Sequence, residues 1–225
     1  MARFTTEFIG ACGFGVDTDS INNDKSPIGR HDFIDLLLEL EEKGKIVGDS
    51  VEHQSADGTP ITVNMEMDIK MMAAQVFVFF GAGFETSSSA TSFTLHELAF
   101  NPDIQSKIQT EIDEVLLKYD NKLCYDAVAE MMLLSMAFKE AMRMFPSLGV
   151  LNRVCSRAYT FRELGLTVDP GVKLVVPVEA LQNDPQYYDN PREFRPERFS
   201  PDHVQKRHKY VYLPFGDGPR ACIGM

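Results

Sequence analysis

From Thr62 to Phe100 the chain contains no proline, and Asn101-Pro102 closes the run. Read as one helix, this segment is on the order of 55 Å long at 1.5 Å per residue. A rod of that length does not lie along the outside of a single small domain, so it is expected to run through the middle. Pro102 cannot continue the helix but suits the first turn of the next one, with Asn101 as its cap. That second helix carries Ile104, Ile108, Ile112 and Val115 on one face. A third covers Leu133 to Phe145 and stops before Pro146.

Upstream, Phe4, Phe8 and Cys12 repeat at fourfold spacing in a weakly helical stretch, Arg3 to Cys12. A polar loop follows from Asp17 to Gly29. Asp32 is placed to cap a short helix whose Phe33, Leu36, Leu37 and Leu40 share a face, and Gly44 is placed to end it. Lys45 to Pro60 reads as loop. Downstream, Leu164–Val168 and Val172–Val176 read as strands joined by the turn Asp169-Pro170-Gly171. From Asn183 the chain is Pro-rich and irregular, and Tyr210 to Gly224 is a Gly-studded loop. The expected class is mainly α with a small β part (region 150–177), in one domain spanning 1–225.

Charge and cysteine usage narrow the function. With 33 acidic against 22 basic side chains the net charge is −11, which argues against nucleic acid as a partner of the whole surface. Lys206-Arg207-His208-Lys209 is the only dense basic run. It reads either as a solvated loop or as a docking patch for an acidic partner. The apolar stretch Met71–Phe84, interrupted by Gln75, is too short for a membrane span. The N-terminus lacks the apolar core of a signal peptide. Cys12, Cys124, Cys155 and Cys222 lie far apart with no CxxC pair, which fits a reducing compartment.

Three places carry chemistry, each with an ordinary reading beside it. Cys222 is by default a small buried hydrophobe. Its setting, Pro214-Phe215-Gly216-Asp217-Gly218-Pro219-Arg220-Ala221-Cys222-Ile223-Gly224, lets backbone approach something flat and large. Read as an extended loop, it puts Arg220 on the thiol's side, where it can pair with a carboxylate. A thiolate presented among amides suits an iron ligand. Glu140 and Arg143, three apart on a helix, are by default a solvated pair. Their neighbours Met136, Ala137, Met142 and Met144 are apolar, so a buried charge network with Arg198 as third member is the sharper reading. Gly81 and Gly83 each weaken the long helix by about 1 kcal/mol relative to Ala. Thr86 ordinarily bonds the carbonyl four residues back. The sharper reading is a local opening at which Thr86 and Glu85 hold water and pass protons.

Together these residues resemble the cytochrome P-450 superfamily of haem-thiolate monooxygenases. Phe215, Gly218, Arg220, Cys222 and Gly224 match its Phe-x-x-Gly-x-Arg-x-Cys-x-Gly signature, and Glu140 and Arg143 its Glu-x-x-Arg pair. Pro196 to Phe199 matches its Pro-Glu-Arg-Phe, and Ala82-Gly83-Phe84-Glu85-Thr86 its oxygen-activation motif. Phe77–Ser89 and Phe4–Gly15 are most similar to the microsomal, insect-type detoxifying branch. The resemblance implies an incomplete P-450 fold with a central helix 62–100, a Glu-x-x-Arg helix 133–145 and a meander and cysteine loop 183–224.

It also implies haem b (iron protoporphyrin IX) with Cys222 as the thiolate ligand, Arg220 on a propionate, and Phe215 and Gly218 against the cofactor. Thr86 and Glu85 would relay protons through water. The implied activity is insertion of one atom of O2 into a small lipophilic substrate, with electrons from NADPH through cytochrome P-450 reductase, docking near Lys206, Arg207 and Lys209. The implied location of the parent enzyme is the cytosolic face of the endoplasmic reticulum membrane. Family members are roughly twice this long and carry a Trp-x-x-x-Arg motif, whereas this chain has no Trp. The loop from Asp17 to Arg30 is too short for the two helices that roof the family's pocket. Two alternatives stand beside the monooxygenase: a truncated, non-catalytic piece of one, and a haem-thiolate isomerase or dehydratase, against which Glu85-Thr86 argues.

Overall fold

A computed structural model describes Ile9 and residues 33–55 and 59–224. The polar loop 17–29 and the proposed Asp32 cap lie outside the described residues, and of the stretch Arg3–Cys12 only Ile9 is described. The chain gathers into two compact units, Met1–Ser89 and Ala90–Met225.

In the first unit, helix α1 (Phe33–Lys43) buries Leu37 against Met67 and Met72. Leu36, expected on the same face, is exposed instead. Gly44 adopts φ +70° and its N–H closes the helix onto the Glu41 carbonyl, a left-handed stop that glycine makes at no steric cost. Of the stretch Lys45 to Pro60, expected as loop, residues 45–54 and Pro60 are strand, and 56–58 lie outside the described residues. Strand β1 (Lys45–Gln54) pairs antiparallel with β2 (Pro60–Glu66), Lys45 opposite Glu66 and Asp49 opposite Thr62. The alternation Ile61, Val63, Met65 is a period-two pattern, and it keeps Thr62–Glu66 out of the long helix. That helix, α2, begins at Ile69 and ends at Phe100. Its start is set by Asp68, whose carboxylate accepts the Met71 N–H at 2.8 Å.

In the second unit, α3 (Pro102–Lys118) follows at once. Asn101 does not cap it. Its side-chain amide donates to the Glu97 carbonyl at 2.8 Å, finishing α2 instead. A short helix, α4 (Tyr125–Glu130), leads into α5 (Met132–Met144). Leu98, Ile108, Ala137, Ala141 and Phe194 form the core among α2, α3 and α5, and Phe93 stacks on Phe145 at 4.6 Å. Two small antiparallel pairs follow: β3 (Leu151–Val154) with β6 (Lys173–Val176), and β4 (Tyr159–Phe161) with β5 (Leu166–Val168). The turn through Gly171 (φ +85°) does join β5 to β6, but the two strands pair with different partners. Helix α6 (Val178–Gln182), a 3-10 turn (Pro196–Phe199), α7 (Pro201–Lys206) and a second 3-10 turn (Lys209–Val211) lead to the cysteine loop. No helix among the described residues is long and apolar enough to cross a membrane.

Candidate haem-thiolate site

The last turn of α5 is buried on every side, from Glu140 through Arg143, and neither Glu140 nor Arg143 has any exposed surface. They are not a solvated pair. Arg143 Nε donates to Glu140 Oε2 at 2.8 Å and Nη2 to Oε1 at 2.9 Å, a two-pronged contact. Arg198 Nε, from the 3-10 turn, donates to the same Oε1 at 3.2 Å, and the Arg195 N–H reaches it at 3.1 Å. Arg143 spends its remaining donors on the Gln182 carbonyl (2.8 Å) and the Pro191 carbonyl (2.7 Å). One buried carboxylate thus ties α5 to the segment 191–199, hydrogen-bonded by two guanidinium groups and a backbone N–H, the condition under which burying an ion is tolerable.

The sequence reading missed Asp189. Its carboxylate pairs with Arg195 and with Arg198 Nη1, the latter at 2.9 Å. Those bonds, Arg195's first, hold Asp189 below the ordinary carboxylate range. An Asp in a polar loop gives no sequence signal for this. Tyr188 was missed for the same reason; it is buried and donates its hydroxyl to the Val211 carbonyl at 3.0 Å.

The basic run is largely committed within the fold. The Arg207 guanidinium lies 4.5 Å from the Phe199 ring centroid and 5.5 Å from that of Tyr212, and Nη1 donates to the Arg198 carbonyl. Lys209 pairs with Asp217 at 3.1 Å. Asp217 also accepts the Gly218 N–H at 2.7 Å, and that bond, with Lys209, lowers its pKa. The Asp217 carbonyl accepts from Arg153 Nη2 of β3 at 3.2 Å.

The cysteine loop is turned rather than extended. Gly216 and Gly218 take φ +72° and +79°, values that side-chain-bearing residues adopt at a cost. The Ala221 N–H bonds the Gly218 carbonyl and the Cys222 N–H the Phe215 carbonyl, each at 2.9 Å. Spacing of two therefore does not put Arg220 on the thiol's side, because that rule holds for extended chain. Cys222 is exposed, and so are Phe215, Gly218, Arg220 and Ile223. A buried hydrophobe it is not. A Cβ on Gly224 would sit 3.9 Å from the Cys222 sulfur, and one on Gly218 would meet nothing within 4 Å. Bare glycines beside an exposed soft donor, with Phe215 and Ile223 unburied around it, fit a flat apolar cofactor held by one thiolate.

In the first unit, α2 runs through Gly81–Ser89 without a break. The Thr86 hydroxyl donates to the Ala82 carbonyl at 2.6 Å, the ordinary bond for a helical threonine. Glu85 and Thr86 are both exposed. Gly83 has a packing reason: a Cβ there would fall 2.6 Å from Ile9 Cδ1.

The family model described as cytochrome P450 matches residues 18–225. Cytochrome P450 6B6 of Helicoverpa armigera is 37% identical over 210 residues, 93% of this chain and 40% of the relative. Probable cytochrome P450 6a13 of Drosophila melanogaster is 40% identical over 197 residues, 88% of this chain and 36% of the relative. Probable cytochrome P450 6a20, also of Drosophila melanogaster, is 36% identical over 271 residues, taking in 100% of this chain and 54% of the relative. The chain spans about half, or less, of the length of these relatives. The last alignment is longer than the chain's 225 residues, so the relative carries positions with no counterpart here.

Proposed function

The chain belongs to the cytochrome P450 family, in its insect branch, and on that premise we propose that it supplies the thiolate-bearing and oxygen-activating parts of a haem-thiolate monooxygenase. The observation that carries this reading is the exposed Cys222 on a loop closed by glycine turns. The substrate class is a small lipophilic molecule, the co-substrate is O2, and the electrons come from NADPH through a flavoprotein reductase. Iron protoporphyrin IX, when bound, supplies the redox chemistry by which dioxygen is activated.

The chain's own residues would divide the remaining work. Cys222 gives up its thiol proton and holds the iron as thiolate, the form in which cysteine ligates. Arg220 would pair with a haem carboxylate, and Phe215 and Gly218 would contact the cofactor. Thr86 and Glu85 would hold water and pass protons, for which the Thr86 hydroxyl would exchange its Ala82 acceptor for water. Docking of the reductase would fall near Lys206, Arg207 and Lys209, of which Arg207 packs on rings and Lys209 pairs with Asp217. The place of such an enzyme is the microsomal membrane.

The test is to load the chain with haem, reduce it and add carbon monoxide. A thiolate opposite the carbon monoxide red-shifts the Soret band, and Cys222→Ser abolishes the shift, since a neutral hydroxyl is a far poorer donor to iron. Survival of the shifted band in Cys222→Ser would mean that another residue ligates.

A further inference from the structure

Gln182, the last residue of α6, has no exposed surface. Both ends of its side chain are used. Nε2 donates to the Met142 carbonyl at 3.2 Å and the Arg143 carbonyl at 3.1 Å, two of the last carbonyls of α5, which have no partner inside their own helix. Oε1 accepts the Leu213 N–H at 2.8 Å. Leu213 opens the cysteine loop: its carbonyl accepts the Gly216 N–H at 3.1 Å, and Phe215 in turn accepts from Cys222. One buried amide therefore connects the end of the Glu140–Arg143 helix to the first turn of the loop.

We propose that Gln182 is a positioning residue for Cys222, fixing where the cysteine loop leaves the helical part of the unit. A primary amide suits the task because it donates at one end and accepts at the other. Its backbone carbonyl is held by Arg143 Nη1 at 2.8 Å, so the residue is pinned on the helix side and the loop must come to it. A carboxylate or thioether in its place serves only one side or neither. The proposal rests on the haem-thiolate reading for its purpose, but the linkage itself concerns the free chain.

Two variants separate the two ends. Gln182→Met removes both, while Gln182→Glu keeps an acceptor for Leu213 and loses the donors to α5. Amide hydrogen exchange is followed at Leu213, Gly216 and Cys222, with Ala141 in α5 as the internal reference. In Gln182→Met, exchange at Leu213 and Cys222 should rise roughly tenfold or more, the scale of losing one buried hydrogen bond, while Ala141 stays protected. In Gln182→Glu, Leu213 should stay protected. After haem loading, Gln182→Met should give a mixture of shifted and unshifted carbon monoxide bands, and Gln182→Glu mainly the shifted one. Wild-type exchange at Leu213 in Gln182→Met would overturn the proposal, as would equal behaviour of the two variants or loss of Ala141 protection in both. Absence of a shifted band in the wild-type chain, with the exchange pattern as expected, would instead overturn the haem-thiolate reading and leave the linkage standing.

Discussion

Thr86 and Cys222 meet the same test with different results. Each had an ordinary reading, and for Cys222 burial decides against it because the thiol is exposed. For Thr86 the ordinary bond is present, 2.6 Å to the Ala82 carbonyl. A hydroxyl so bonded still has acceptor lone pairs for water, and exchanging one acceptor for another requires only rotation about χ1. Its proposed catalytic role therefore rests on exposure and on the family motif, not on a broken helix. In a full-length enzyme with its reductase, Thr86→Ala should leave haem binding intact while product formed per NADPH consumed falls, the electrons leaving as hydrogen peroxide. Positioned acid–base groups are worth roughly a hundredfold or more, so the loss should be plain by product quantitation against NADPH oxidation. Unchanged coupling would make Thr86 a helix residue and nothing more.

Between elements, the junction of α5 with the segment 189–199 is where charge does the joining. Glu140 accepts from Arg143, the Arg195 backbone and Arg198. Glu140→Ala leaves two buried guanidinium groups short of their carboxylate, a change that typically costs about 3–5 kcal/mol. It should lower the unfolding midpoint in denaturant and release haem; normal stability and haem content would contradict the assignment. The pairing of Glu140 and Arg143 was legible because two charges set three apart among Met136, Ala137, Met142 and Met144 must find partners. Asp189 and Gln182 were not legible, because a lone polar residue in an irregular stretch, or at the end of a five-residue helix, carries no period that tells which way it points. The β1–β2 hairpin was missed for a physical reason too. Ile61, Val63 and Met65 alternate, but helix-forming residues follow directly, and absence of proline let one helix absorb a strand. The two strands around Asp169-Pro170-Gly171 were legible as strands from their β-branched residues. Their partners, β3 and β4, were not, because pairing is a long-range choice that a three- or four-residue strand does not encode.

At the scale of the whole molecule, the unit Ala90–Met225 holds a continuous line of buried polar contacts from α5 through Gln182 to the cysteine loop. Mainly helical structure with small paired strands was readable from periodicity and turn residues. The match to the cytochrome P450 family over residues 18–225 agrees with the motifs at Glu140, Pro196 and Phe215. The relatives extend beyond what this chain spans. The central claim is that this unit presents Cys222 as the single protein ligand to haem iron. Iron-edge X-ray absorption of the haem-loaded chain tests it most directly, because sulfur and light-atom scatterers are distinguished at the metal itself. The account predicts one sulfur neighbour in the wild-type chain and none in Cys222→Ser. A first shell of nitrogen or oxygen only in the wild type, or a sulfur that persists in Cys222→Ser, would contradict it.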